Sequence, residues 1–116
     1  MQFPKLDMTS EKLKAILLDI YQPKVDFSIV LTDRKYRRRL GTYYPVRHLI
    51  YVHGGWGDDI MNIGTAIHEY AHHIHFTERS SRAFEKSHGY EFRLIHKVLL
   101  SIAESKGYLG RSSIFK

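Results

Sequence analysis

Apolar residues near the N-terminus recur at intervals of three and four, with Leu13, Ile16, Leu17 and Ile20 on one stripe. That spacing predicts an amphipathic helix over Ser10 to Tyr21. Thr9 or Ser10 can cap its start, and Pro23 ends it, having no amide hydrogen to continue the ladder. The period then changes. Asp26 to Thr32, "DFSIVLT", predicts a short strand; Arg38 to Tyr43 and His48 to His53 predict two more, with a connection near Pro45. "GGWGDD" predicts a loop in which Asp58 or Asp59 caps the next helix. From Ile60 to about Thr77 the helical period returns through Ile60, Ile63, Ile67, Ala71 and Ile74, and Gly64 inside this run costs about 1 kcal/mol. The polar stretch "TERSSRAFEKSHG" predicts a loop and the start of another helix. Phe92, Ile95, Leu99 and Ile102 then form a second long stripe, ending near Gly107. The expected fold class is α+β: an N-terminal helix, a small three-stranded, mainly antiparallel sheet, and two long helices. The whole chain, 1–116, reads as a single domain.

Composition narrows the chemistry. The chain has no cysteine, so any metal site must be built from histidine, carboxylate and water. It carries a net charge of +6, much of it in "RKYRRR": Arg34, Lys35, Arg37, Arg38 and Arg39. Such a patch can attract phosphate backbones, making DNA a candidate partner. The plainer reading is a solvated turn or edge strand whose charge discourages aggregation. The N-terminus lacks the apolar run of a signal peptide and no segment approaches a membrane span, so the default expectation is a cytoplasmic protein with no membrane partner.

The densest chemistry is "TAIHEYAHHIHF", Thr65 to Phe76. His68, Glu69 and His72 form H-E-x-x-H. On a helix, positions four apart are separated by about 40° around the axis and about 6 Å along it, so both imidazoles can converge on one zinc ion. Glu69 lies beside them, placed to take a proton from water activated by the metal and pass it to a leaving amine. His75 returns to the same face but about 10 Å along the axis, too far to complete that site. His73 points away from His72 and is expected to be solvated or packed. A catalytic zinc usually takes a third protein ligand. The metzincin continuation would need glycine at 75 and histidine at 78, where this chain has His75 and Glu78, which excludes that class.

Sixteen residues after His72 comes "HGYEF", beginning at His88. "HEYAH" followed by a histidine-glycine pair, with phenylalanine three positions beyond the glycine, resembles the SprT-like zinc metallopeptidases, which include the Spartan proteases. "GTYYPVRHLIYV", a glycine-bearing turn into a strand, resembles them too, and the likeness spans roughly Leu40 to Leu100. It implies a compact zincin-like domain in which His68, His72 and His88 hold one catalytic Zn2+ and Glu69 is the general base. Gly89 would allow close packing and Phe92 would anchor the second helix. The implied activity is endopeptidase action on protein or peptide, including proteins associated with DNA. The zinc ribbon and long tails of many SprT relatives are missing from this sequence, which also resembles the compact minigluzincins. There the third ligand is a glutamate, and Glu85 and Glu91 are the competitors. A zinc-binding module without catalysis is the remaining alternative.

Other residues enter as expectations. The strand His48 to His53, with Tyr51, would form the rim of the cleft and bind extended peptide through its backbone. Trp56 could wall the cleft. Tyr43, Tyr44, Tyr90 and His96 are candidate donors to the oxyanion of a tetrahedral intermediate.

Overall fold

The computed structural model describes residues 8–36, 38–78 and 89–110, and for Trp56 the backbone alone. The first helix, α1, spans Ser10–Ile20. Thr9 caps it, its hydroxyl accepting from the Lys12 amide at 3.1 Å. Leu13, Leu17 and Ile20 are buried, each contributing roughly 1.5–3 kcal/mol by leaving water. Tyr21 turns extended and ends the helix two residues before Pro23, close to the expected boundary.

Three strands follow: β1 (Ser28–Thr32), β2 (Gly41–Tyr44) and β3 (Leu49–His53). Their order is β1-β3-β2, which makes β3 the centre. β2 and β3 are antiparallel, with Tyr44 opposite Leu49, and residues 45–48 form the turn between them. His48 closes this turn at φ 48°, the left-handed conformation that lets a short hairpin loop re-enter the sheet. β1 pairs with the other side of β3 in parallel, Ser28 opposite Leu49. The sheet is therefore mixed, not mainly antiparallel. The cause is the arch between β1 and β2, whose described residues 33–36 and 38–40 lie at the C-terminal end of β3, since Thr32 pairs with His53 on one side and Gly41 with Val52 on the other. Two backbone bonds pin the arch: Gly55 N–H to the Arg34 carbonyl at 2.9 Å and His53 N–H to the Leu40 carbonyl at 2.8 Å. Arg38–Leu40, expected in a strand, belong to this arch.

The second helix, α2, spans Asp59–Glu78. Asp58 caps it, its carboxylate accepting from the Met61 amide at 2.9 Å. The third, α3, spans Tyr90–Ser105. It ends in a Schellman motif: Tyr108 N–H reaches the Ala103 carbonyl, Gly107 N–H reaches Glu104, and Gly107 takes φ 85°. One core joins these elements, holding Ile50 and Val52 of β3, Ala66, Ile67 and Tyr70 of α2 and Phe92, Leu99 and Ala103 of α3, with α2 packed against both the sheet and α3. The Tyr70 hydroxyl donates to the Tyr21 carbonyl, and Glu78 accepts from the Tyr21 hydroxyl and the Lys24 amide, tying the ends of α1 and α2 together. Among the described residues, no helix is long and apolar enough to cross a membrane.

Candidate active site

Two sides of α2 carry histidines. On the side packed against α3, the His68 and His72 rings lie 5.1 Å apart, edge to face. Both rest on Phe92 of α3, His72 stacked at 4.3 Å and His68 at 5.3 Å. Phe92 is 2% exposed, so the second long helix is anchored at this point. One turn further, His96 brings its ring to 5.0 Å from His68.

A cleft of about 640 Å³ opens beside His68 and His96, bounded by Arg38 to Gly41 on one side and by Thr65, His68, Glu69 and His96 on the other; His72 does not line it. Glu69 is only 7% exposed. Burial pushes its carboxyl up to about 7, against a weaker downward pull from the Arg39 guanidinium. Gly41 makes the close approach of β2 to this carboxylate attainable. A Cβ there would stand 2.7 Å from the Thr65 methyl and 3.0 Å from the Glu69 side chain. A group that titrates near neutrality at the edge of a cleft is suited to general acid–base work.

The metal question divides between described residues and others. Among the described residues, no group of three His, Cys, Asp or Glu is gathered closely enough to hold a metal ion. His68 and His72 fit two positions of a zinc site in residue type, spacing and shared face. His88, the third ligand implied by the resemblance, lies outside the described residues, as does Glu85. Glu91, the other competitor, sits in the first turn of α3 with a carboxylate oxygen 3.5 Å from His75 Nε2.

The opposite side of α2 holds a histidine of another kind. His73 is fully buried, with Nε2 2.7 Å from the Val25 carbonyl and Nδ1 2.7 Å from the Tyr43 hydroxyl. The carbonyl can only accept, so Nε2 carries the proton and Tyr43 donates to Nδ1. Burial lowers the His73 pKa, which keeps the ring neutral. Of the two expectations for this residue, packing is the one realised.

Several expectations need correction. Tyr43 does not face the cleft; its hydroxyl is committed to His73, and burial raises its pKa to about 12. Tyr51 lies on the other face of the sheet, where it and Tyr44 line a separate groove. β3 cannot offer a rim to peptide, because β1 and β2 occupy both its edges. β2 is the strand beside Glu69. Tyr90 is 69% exposed at the first position of α3. The Trp56 backbone forms a 3-10 turn with Gly54 and Gly55, and its side chain lies outside the description. Of the basic run, Arg34, Arg38 and Arg39 line the groove shared with Tyr51, Lys35 extends beside Gly55, and Arg37 lies outside the described residues. The place of His96 was readable only in part: it is four residues after Phe92, on the buried stripe of α3.

No family model, curated protein or solved structure matches the chain. The chemistry of the cleft rests on its own residues.

Proposed function

We propose that the chain is a zinc-dependent endopeptidase of SprT-like character. The observation that carries this reading is the pairing of His68 and His72 on the α3 side of α2 with a buried Glu69 at the edge of the cleft. His68 and His72 would hold the zinc, with His88 as third ligand by the resemblance. Bound there, zinc supplies polarisation of the attacking water and of the scissile carbonyl. Glu69 takes the proton from that water and later delivers it to the leaving amine. Its carboxyl near 7 suits both transfers, since neither protonation state is far from reach at neutral pH. His96, lining the cleft beside His68, is positioned to donate to the developing oxyanion.

β2 is the edge along which substrate would lie. Among the described residues its only strand partner is β3, and Gly41 brings it against Glu69. An extended peptide adding to this edge binds through main-chain hydrogen bonds, so cleavage is weakly selective for sequence. A zinc-binding module without hydrolysis is the weaker reading, because it leaves a costly buried carboxylate without a use.

The test is zinc stoichiometry by elemental analysis on stripped and reconstituted protein, for wild type, His88→Ala and His96→Ala. One zinc in wild type and His96→Ala, with a much weaker site in His88→Ala, supports the three-histidine centre. Unchanged zinc in His88→Ala moves the third ligand to Glu85, Glu91 or, if its variant loses metal, His96. No zinc in wild type overturns the proposal.

A further inference from the structure

Gly41 is required by the close approach of β2 to α2, and Gly107 by its positive φ. Gly64 has neither reason. It lies inside α2, one turn before His68, where glycine weakens a helix relative to alanine. Among the described residues, a Cβ there would meet nothing within 4 Å beyond the helix's own backbone. The space above it is not outer surface, since Gly64 is half-buried and lines the Glu69 cleft.

Apolar side chains from three elements share this part of the cleft. Met61 precedes Gly64 by one turn of α2. Leu100 comes from α3: the ring pairs His72–Phe92 and His68–His96 step in opposite directions along the two helices, and the next pair in that series is Gly64 and Leu100. Leu40 enters from the arch, next to Gly41. Met61 and Leu40 are 43% and 38% exposed, large apolar groups left to water at the cleft. Gly57 seats Met61, because a Cβ on Gly57 would stand 2.7 Å from its sulfur. Elsewhere the cleft is basic, through Arg38 and Arg39, which also line the groove on the outer face of the sheet with Arg34 and Arg47.

Gly64 is about 6 Å from His68 along the helix axis. Side chains on one face of an extended peptide recur about every 7 Å. A peptide whose scissile carbonyl lies at His68 therefore brings to Gly64 a side chain no more than about two residues away. We propose that Gly64 is the floor of a side-chain subsite, walled by Met61, Leu40 and Leu100, that takes a large apolar residue of the substrate, leucine, methionine or phenylalanine, close to the scissile bond. This deepens the peptidase reading and rests on it for the identity of the ligand. The edge of β2 binds main chain and selects little, so the space over Gly64 is where selectivity enters. The flexible thioether of Met61 lets the wall adapt to side chains of different shape.

Binding and cleavage are measured separately, so that the subsite and the peptidase reading can fail separately. For binding, the full chain carrying Glu69→Gln, both zinc-reconstituted and metal-free, is titrated with short fluorescent peptides of an alanine–serine host that differ only at the central residue. Central leucine or phenylalanine is expected to bind at least about fivefold more tightly than central alanine. Gly64→Leu on the same background fills the subsite and should erase that preference. Gly64→Ala should reduce it in part while raising the urea midpoint, because the helix gains a better former, and it gives the reading should Gly64→Leu fail to fold. For cleavage, the zinc-loaded wild-type chain should cut an unstructured protein with leucine, methionine and phenylalanine enriched next to the cut, and Gly64→Leu should lose the enrichment. Equal binding of the leucine and alanine peptides, an undiminished preference in both Gly64 variants, or cuts with no apolar enrichment would each overturn the subsite. A preference in binding with no hydrolysis by wild type would support the subsite and overturn the peptidase reading.

Discussion

His68 and His73 sit five positions apart on one helix and live in different chemical worlds. His73 is fully buried, and both its nitrogens have partners whose donor and acceptor roles fix the tautomer. It joins the loop before β1, strand β2 and helix α2 at one point. His68 is half-buried beside a cleft, with His72, His96 and Phe92 around it. A histidine whose two nitrogens are both engaged in the interior stabilises; one that lines a cleft stands where a ligand can reach it. The helical period separates the two roles, since a rotation of about 100° per residue turns position 73 to the sheet and positions 68 and 72 to α3.

The contrast can be broken most sharply at Glu69, on the working side. Glu69→Gln should keep zinc and lose peptidase turnover by about a thousandfold, within the range for removing a general base. Turnover of an unstructured protein substrate, alongside metal content, checks this; activity within tenfold of wild type removes the assignment. On the structural side, His73→Ala should cost roughly 3–4 kcal/mol, because it empties a buried site and strands the Tyr43 hydroxyl and the Val25 carbonyl. His68→Ala should cost less than about 1 kcal/mol in metal-free protein, as expected for a half-buried residue outside the hydrophobic core. Urea denaturation compares them, and equal losses would erase the distinction.

A smaller effect is linked to pH. The Glu69 carboxyl is raised in the folded chain to about 7 from its ordinary 4.5, mainly by burial. The folded state therefore holds that proton more tightly than the unfolded state does. The stabilisation is complete below pH 4.5 and is lost as pH rises through about 7. Metal-free wild type should thus fall in stability relative to Glu69→Gln across that window, by at most about 3 kcal/mol. Parallel stability curves for the two proteins between pH 4 and pH 8 would show instead that the carboxyl is solvated.

The helices were legible in the sequence because their apolar periods are local and their ends carry recognisable chemistry: Thr9 and Asp58 as caps, Gly107 past the end of α3. Each strand was located to within three residues at its ends. Their arrangement was not legible, because the parallel pairing of β1 with β3 depends on how the arch is pinned at Arg34 and Leu40, and no periodicity records that. In the site, H-E-x-x-H located His68, Glu69 and His72, since helical spacing alone puts them together. The neighbourhood of His96 depends on how α3 crosses α2, and the commitment of Tyr43 to His73 spans 30 positions of sequence. Arg47 escaped notice because it is isolated in the hairpin turn and joins the basic run only in three dimensions.

The central place of β3 also bears on how the chain is made. β1 leaves the ribosome first, yet each of its residues waits for a partner 21 positions later, as Thr32 waits for His53. The hairpin of β2 and β3 is local and closes within microseconds once both strands exist. Until then, Ile29 and Leu31 belong to a strand with no neighbour, open to pairing with another nascent chain. Products truncated before residue 53 are thus expected to be the aggregation-prone ones, and slow translation between residues 33 and 53 the step that most lowers the yield of folded protein.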